Sequence, residues 1–186
     1  MTGSASDGSN TYAVTGSLTF TLGAATNTTF NGTAALQTTE TVTGTLTIAG
    51  ETAALDSFST SYLNLSYQPL AYSTEGSYCE AASPVVYPAT ASAGQSGDLG
   101  VFNCYTDSTK TTFVGSETET YLATAGSTYN TLDMTIITNM FDPLKNPLGT
   151  GSVTYTITSG GIPSLTKFVM SITEGGITIN ITAKSI

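Results

Sequence analysis

The sequence predicts an all-β, antiparallel protein. Apolar and hydroxylated residues alternate with a period of two along most of the chain, and Gly-rich pairs separate the alternating runs. No window of 11–18 residues has the apolar spacing of a helix. We expect about ten strands in one antiparallel meander, folded either as a curved sheet or half-barrel or as a two-layer β-sandwich.

The N-terminal half begins with a stretch that shows no periodicity. We expect these nine residues to form a flexible tail, followed by a single all-β domain over residues 10–186. A regular strand comes next, in which Leu18 and Phe20 share one parity and hydroxylated residues occupy the other. Alternation resumes over 33–49, and the parity changes near Tyr62, which predicts a β-bulge.

A Pro- and Gly-rich excursion lies between Cys79 and Cys104, and residues 85–87 within it are a candidate edge strand. The C-terminal part is a second regular meander. Gly160-Gly161 and Gly175-Gly176 separate its alternating runs, which is a strong hairpin signal.

Composition excludes several classes of function. The 186 residues include four Lys, no Arg and no His against 13 Asp and Glu, for a net charge of −9. We therefore expect no nucleic-acid partner, because no basic surface can displace counterions from phosphates. No apolar run approaches the roughly 20 residues of a transmembrane helix. The small polar residues after Met1 predict that a native export signal or lipid-attached cysteine precedes this sequence.

The only two cysteines predict a disulfide, Cys79–Cys104. The loop that it closes corresponds to roughly 3–3.5 kcal/mol of chain entropy. The alternatives fit less well, because a redox pair usually has the spacing Cys-x-x-Cys and a zinc site requires four nitrogen or sulfur ligands.

The residues predict no enzymatic activity, no metal and no cofactor. Without His, a Ser-His-Asp or Cys-His mechanism is impossible. Ser164 and Lys167 match Ser-x-x-Lys, but that motif requires a helix and companion motifs. Glu117 and Glu119 share one face of a strand, and we interpret this face as solvated.

Three loop aspartates could contribute to a Ca²⁺ site, although no EF-hand spacing supports one. They are Asp98, Asp107 and Asp142.

Six tyrosines cluster around the cysteine segment, and they are candidates for a ligand or interface surface. They are Tyr62, Tyr67, Tyr72, Tyr78, Tyr87 and Tyr105. Six apolar residues are candidates for the lining of a cavity in a curved sheet. They are Leu18, Phe20, Leu46, Ile157, Phe168 and Ile179. The alternative for both sets is an ordinary core and its rim.

The cysteine segment also resembles a family. Gly76-Ser-Tyr-Cys79, Cys104-Tyr-Thr-Asp-Ser-Thr-Lys and Gly115-Ser-Glu-Thr-Glu-Thr-Tyr121 resemble exported bacterial lipoprotein-type β domains of unassigned function. The resemblance covers residues 60–122. It implies an envelope location and a disulfide, and it offers no catalytic residues.

Three functions follow as expectations. The first is a non-enzymatic envelope or surface β-domain with a binding or structural role in the periplasm, at the outer membrane or on the cell surface of a bacterium. Its partner would be a protein, a glycan or a lipid. The second is a carrier of an apolar or lipid ligand inside a curved sheet. The third is an adhesin or fimbrial-type subunit, which would expose a sheet edge for a partner strand.

Overall fold

A computed structural model describes residues 1–161 and 163–185, and within these residues the chain is all-β with only antiparallel strand pairs. The thirteen strands are β1 Thr2–Ser6, β2 Thr11–Leu22, β3 Thr26–Phe30, β4 Thr33–Ile48, β5 Glu51–Leu63, β6 Pro69–Thr74, β7 Ser77–Ala81, β8 Ser96–Tyr105, β9 Phe113–Ala125, β10 Thr131–Phe141, β11 Pro147–Thr158, β12 Pro163–Glu174 and β13 Ile177–Lys184. Over the described ranges, no helix is both long and apolar enough to cross a membrane.

The sheet closes on itself. Strands β4 to β13 pair in sequence order, β13 pairs with β1, β1 pairs with β2, and β2 pairs with β4. Twelve strands therefore form a closed barrel, while β3 pairs only with β4. The expectation of an all-β antiparallel meander is confirmed, but the strands number thirteen rather than about ten, and they form neither an open half-barrel nor a two-layer sandwich. Closure depends on contacts between the two ends of the chain, which local alternation does not encode.

The N-terminal residues form part of the barrel instead of a flexible tail. Thr2–Ser6 pairs on one side with β2 and on the other with β13. Ala5 is buried, and Gly3 lies so close to β13 that an added Cβ would fall 1.9 Å from the carbonyl oxygen of Asn180. Small residues allow this close approach. They also remove the apolar alternation that would have marked the strand.

The two faces of the sheet differ in chemistry as the alternation predicted. In β2, Leu18 and Phe20 are half-buried, whereas Thr19 and Thr21 are exposed. The buried residues form two clusters inside the barrel, one around the cysteines and Phe102 and the other around Val14. The inner face is therefore mainly apolar and the outer face is largely hydroxylated.

Residues 82–95, which we call the inner loop, contribute Val85 and Tyr87 to the barrel interior, while most of the other residues of the loop are exposed. Val85 is only 1% exposed and belongs to the cluster around Phe102. It occupies the space beside Gly100, where an added Cβ would lie 2.8 Å from the Val85 side chain. Residues 85–87 are thus not an edge strand. Because Gly100 has no side chain, Val85 packs into the space beside it, inside the barrel.

Two local predictions are confirmed. The pairing register shifts between Tyr62 and Leu63, at the predicted bulge. Cys79 and Cys104 face each other directly on β7 and β8, with Cα atoms 4.0 Å apart, and form a disulfide.

Candidate functional site

The interior of the barrel contains an apolar pocket of about 390 Å³ between the inner loop and strands β10 and β11. It is lined by Tyr67, Tyr87, Met134, Ile136, Tyr155, Ile157 and Pro163. A second pocket of about 490 Å³ adjoins it and shares Met134 and Ile157. Pockets of this size and character accommodate small organic molecules.

Two glutamates of β9 face the same interior. In the register of β9 and β10, Glu119 lies opposite Thr138 and Glu117 lies opposite Met140, on the face that carries Ile136. Both glutamate side chains are half-buried. The interpretation of this face as solvated is therefore wrong, because closure of the barrel turns it inward.

Glu117 has a partner inside the barrel. The hydroxyl of Tyr72 donates a hydrogen bond to Oε2 of Glu117, and the Tyr72 ring packs against Phe102 with ring centroids 5.7 Å apart. Burial raises the pKa of Glu117 above its ordinary value, and the hydrogen bond from Tyr72 partly offsets this effect. Burial, followed by the charge of Glu117, also raises the pKa of Tyr72 well above that of a free phenol. The pair lies next to the disulfide, with a carboxyl oxygen of Glu117 within 4.8 Å of both sulfur atoms.

Glu119 differs from Glu117 because one of its oxygens has no partner. Oε2 of Glu119 is buried, and it makes no hydrogen bond within the described residues. Burial, followed by the charge of Glu117, raises the pKa of Glu119 to about 7. Leaving a buried acceptor unsatisfied costs about 1–3 kcal/mol, and more if it is charged. The site therefore has an unused acceptor that titrates close to neutral pH.

Glu119 lies diagonally across the β9–β10 pair from Ile136, which lines the pocket, and on the same face of the sheet. Burial raises the pKa of Tyr87, and the charge of Glu119 raises it further. Burial also raises the pKa of Tyr155, with additional contributions from Glu40 and Glu119. Glu119 is thus electrostatically coupled to the apolar pocket.

No lysine neutralises these carboxyl groups. Each of the four lysines in the sequence is an exposed residue. Glu40 on β4 adds a third carboxyl group; this residue is exposed, and partial desolvation raises its pKa. The barrel interior is thus negative wherever its carboxyl groups ionise, and no cationic side chain compensates the charge.

One group of three side chains is close enough together to hold a metal ion but does not offer the ligands that a metal requires. Ligand atoms of Cys79, Cys104 and Glu117 all lie within 4.8 Å of one another. The two sulfur atoms are bonded to each other, so neither is available as the thiolate that a metal requires. We assign no metal to this group.

The structure divides the six candidate tyrosines. Tyr67 and Tyr87 line the pocket, and Tyr72 binds Glu117 beside it. The others lie elsewhere. Tyr62 and Tyr105 pack against phenylalanine rings, with centroids 5.3 and 5.8 Å apart.

Tyr78 is the sixth. It is buried and donates a hydrogen bond of 3.0 Å to Glu80, which also forms a 2.8 Å ion pair with Lys110. This tyrosine has a structural contact on the side of the sheet away from the pocket.

The six candidate cavity residues are also divided. Ile157 lines the apolar pocket, whereas Leu46 and Ile179 pack against the core cluster around Val14. The remaining three, Leu18, Phe20 and Phe168, line a separate pocket of about 220 Å³ between β2 and the C-terminal strands.

The other candidate residues have local contacts. Ser164 donates a 3.3 Å hydrogen bond to the backbone oxygen of Thr156, and Lys167, three positions further along the same strand, is exposed. A register shift between them puts both residues on one face of the sheet, opposite Thr156 and Thr154, but Ser164 bonds to the backbone and not to Lys167.

The three aspartates do not converge either. Asp107 and Asp142 accept hydrogen bonds from residues of their own loops, and Asp98 lies within β8.

The sequence did contain a signal for the two interior glutamates. In β9, Thr118 and Thr120 have the parity that hydroxylated residues take on the outer face elsewhere in the chain. If the outer face of β9 is assigned from the positions of its threonines, and not from the polarity of its glutamates, Glu117 and Glu119 fall on the inner face.

Comparisons with known proteins give no family model, no curated protein and no solved structure that matches this chain.

Proposed function

We propose that this protein binds a small organic cation, with an apolar body and a protonated amine, inside its barrel. The observation that carries the proposal is the buried Oε2 of Glu119, which has no hydrogen-bond partner among the described residues and lies beside an apolar pocket of about 390 Å³. An amine would donate to this oxygen, while the body of the ligand would replace water against Met134, Ile136 and Ile157.

The aromatic lining supports a cation in preference to a neutral molecule. Tyr87 and Tyr155 border the pocket, and aromatic rings attract ammonium groups through their faces. A carboxylate ligand would meet Glu119, Glu117 and Glu40 without any cation to compensate its charge. The pocket therefore favours amines over acids that have the same apolar body.

The proposal develops the expectation of an apolar carrier and treats the protein as a binding protein without catalysis. We also propose an exported, envelope-associated location, supported by the disulfide and by the resemblance over residues 60–122. Fractionation of the native organism with an antibody would test this location, and a cytoplasmic signal would contradict it.

The binding test compares two probes that differ in charge. Titration calorimetry at pH 8 would use 1-naphthylmethylamine and 1-naphthaleneacetic acid, which share the naphthalene body. We expect saturable binding of the amine and affinity at least about tenfold weaker for the acid, because a like-charge contact in a buried site costs more than about 1.4 kcal/mol.

Glu119→Gln is the informative variant, because it keeps the shape of the side chain and removes the charge. We expect it to weaken binding of the amine by about tenfold or more. Glu51→Gln, at an exposed position on β5, is the matched control and should bind like the wild type. Equal binding of the two probes, or no effect of Glu119→Gln, would contradict the proposal.

A further inference from the structure

Tyr67 has a backbone conformation that a tyrosine rarely adopts. It lies in the turn between β5 and β6, and its φ of +61° is in the left-handed region. Contacts of the Cβ atom with the backbone make this region unfavourable for bulky residues. Five other non-glycine residues in the described ranges have a positive φ, and none of the five is aromatic. The turn therefore holds a large ring at a position where glycine would be less strained.

One residue, Asn64, fixes this turn. Its Oδ1 accepts hydrogen bonds from the backbone N–H groups of Ser66 and Gln68, at 2.8 and 3.0 Å. Its Nδ2 donates to the side-chain oxygen of Gln68 at 2.8 Å. The backbone N–H of Asn64 donates to the carbonyl of Gln68, and its carbonyl accepts from the N–H of Tyr67, both at 2.9 Å. These five hydrogen bonds hold Tyr67 in its unfavourable conformation.

Burial of the ring does not explain why a tyrosine occupies this position. Tyr67 is 64% exposed, so its side chain gains little free energy from leaving water. Residues held in sparsely populated backbone conformations are concentrated at binding and active sites, where the surrounding structure imposes them. The conformation thus points to a role of the ring other than stabilisation of the fold.

The ring reaches over the barrel interior from the opposite wall. Tyr67 follows β5, whereas five of the seven residues that line the apolar pocket belong to β10, β11 and the start of β12. Strands β5 and β11 are six pairing steps apart in either direction around the twelve-stranded ring. Tyr67 therefore lines a pocket whose other side lies across the barrel.

The pocket has a mouth and a deep end. Strands β5, β7 and β11 run in the same direction, so the turn with Tyr67, the inner loop and the β11–β12 turn lie at the same end of the barrel. Ile157 lies opposite Leu132 near this end, and Ile136 is four residues further along β10, which corresponds to about 13 Å. Glu119 lies opposite Thr138, deeper still. The unsatisfied acceptor is thus at the deep end, and Tyr67 is at the mouth.

We propose that Tyr67 is the cap of the ligand pocket and determines how long an apolar body the pocket retains. This role depends on the binding function proposed above. When the ammonium group lies at Glu119, the apolar body extends toward the mouth, where the ring of Tyr67 covers it and separates it from water. A body too short to reach the mouth makes no contact with the ring. Asn64 is a positioning residue, which acts through Tyr67 without touching the ligand.

The first test compares two amines of different length. Titration calorimetry at pH 8 would use biphenyl-4-ylmethylamine and benzylamine, which differ by one ring. We expect Tyr67→Ala to weaken binding of the biphenyl amine at least about tenfold and that of benzylamine less than about twofold, because only the longer body reaches the ring. Tyr67→Phe should keep both affinities, since the face of the ring makes the contact. Equal losses for the two amines, or no loss, would overturn the proposal.

Leu65→Ala is the matched control in the same turn. Leu65 is 62% exposed and is not among the residues that line the pocket. We expect this variant to bind both amines like the wild type. A cap acts mainly on the escape of the ligand, so in stopped-flow fluorescence Tyr67→Ala should raise the dissociation rate of the biphenyl amine and leave its association rate no slower. A loss of affinity in Leu65→Ala equal to that in Tyr67→Ala would assign the effect to the turn and not to the ring.

Thermal unfolding separates a cap from a structural residue. Tyr67→Ala should keep its Tm within about 2 °C of the wild type, because the ring is exposed. Tyr67→Gly also relieves the left-handed conformation, so its Tm should exceed that of Tyr67→Ala by about 2 °C, while it binds the biphenyl amine equally weakly. Ala49→Gly is the control, since Ala49 has a φ of +53° in the β4–β5 turn at the other end of the barrel. It should raise Tm and leave binding unchanged. A large fall in the Tm of Tyr67→Ala would show a structural role and overturn the proposal.

A double-mutant cycle tests the positioning role of Asn64. Asn64→Ala should weaken binding of the biphenyl amine when Tyr67 is present and have no effect on binding in the Tyr67→Ala background. Equal losses in the two backgrounds would show that Asn64 does not act through Tyr67.

Two outcomes separate the cap from the binding function on which it depends. If Glu119→Gln weakened binding of both amines and Tyr67→Ala weakened neither, the cation site would stand and the cap would be overturned. If the wild type bound neither amine, both proposals would be overturned.

Discussion

At the scale of single residues, the chemistry of this protein is concentrated in a few carboxyl groups that the fold has removed from water. Glu117 accepts a hydrogen bond from the hydroxyl of Tyr72, whereas Oε2 of Glu119 has no partner within the described part of the chain. The same residue type at two positions of one strand thus has two roles. Glu117 completes a structural contact, and Glu119 carries the buried acceptor on which the proposed ligand site depends.

The raised pKa of Glu119 predicts a specific dependence of stability on pH. Its value of about 7 in the folded protein lies above the ordinary 4.5, so between these values the folded state binds more protons than the unfolded state. The stabilisation is fully present below about pH 4.5 and is lost as the pH rises through 7. The difference corresponds to about 3 kcal/mol.

Glu119→Gln should remove most of this dependence, because glutamine does not titrate. Urea unfolding at pH 5 and pH 8 would measure it, with Glu51→Gln as the exposed control that keeps the wild-type slope. Glu117 and Glu40 also have raised pKa values, so a smaller slope in the same direction should remain. If the free energy of unfolding changed by the same amount between pH 5 and pH 8 in the wild type and in Glu119→Gln, the raised pKa of Glu119 would be contradicted.

At the scale of elements, the region around the disulfide joins short strands to an irregular segment. Strands β6 and β7 contain six and five residues, far fewer than the thirteen of β9. The disulfide connects β7 to β8 across the inner loop, and that loop supplies Val85 to the core and Tyr87 to the pocket. The pocket therefore depends on a segment without regular secondary structure.

The disulfide should contribute measurably to stability. Its cysteines are 25 positions apart, and closing a loop of that length in the unfolded chain corresponds to roughly 3–3.5 kcal/mol. We expect the double variant Cys79→Ala, Cys104→Ala to lower the free energy of unfolding by at least about 3 kcal/mol in urea titrations.

Reduction of the wild-type protein is the matched control, because it breaks the bond and keeps both buried side chains. Reduction should cause most of the loss in free energy of unfolding that the double variant shows. The rest of the double variant's loss comes from the missing packing of the two cysteine side chains. A reduced protein as stable as the oxidised one would contradict the prediction.

At the scale of the whole molecule, barrel closure depends on backbones that approach each other very closely. Gly44 lies opposite Leu18 in the β2–β4 pairing that closes the ring. A Cβ at Gly44 would fall 1.9 Å from the carbonyl oxygen of Ser17. Glycine at such positions allows the sheet to curve enough to close.

Gly44→Ala should therefore destabilise the barrel by at least about 2 kcal/mol, because relief of the clash requires β2 and β4 to separate. Gly151→Ala is the matched control, since Gly151 also lies in a strand and an added Cβ there meets nothing within 4 Å. We expect it to change stability by less than about 0.5 kcal/mol. Thermal and urea unfolding would compare the two, and equal stabilities would contradict this account of closure.

The sequence by itself determined the fold class, the bulge at Tyr62, the disulfide and the hydroxylated outer face. These features depend on local alternation, on turn residues and on the presence of only two cysteines. All of these can be recognised in the sequence without knowledge of contacts between distant segments. Sequence reasoning also selected Tyr67, Tyr87 and Ile157, which line the pocket.

Only the tertiary structure decided that the sheet closes and that Thr2–Ser6 completes it. Both depend on pairing between segments far apart in sequence, which local alternation does not encode. Alternation assigns residues to a hydroxylated and an apolar face, but only closure encloses the apolar face and takes the Glu119 carboxyl group out of water. The pocket results from that closure.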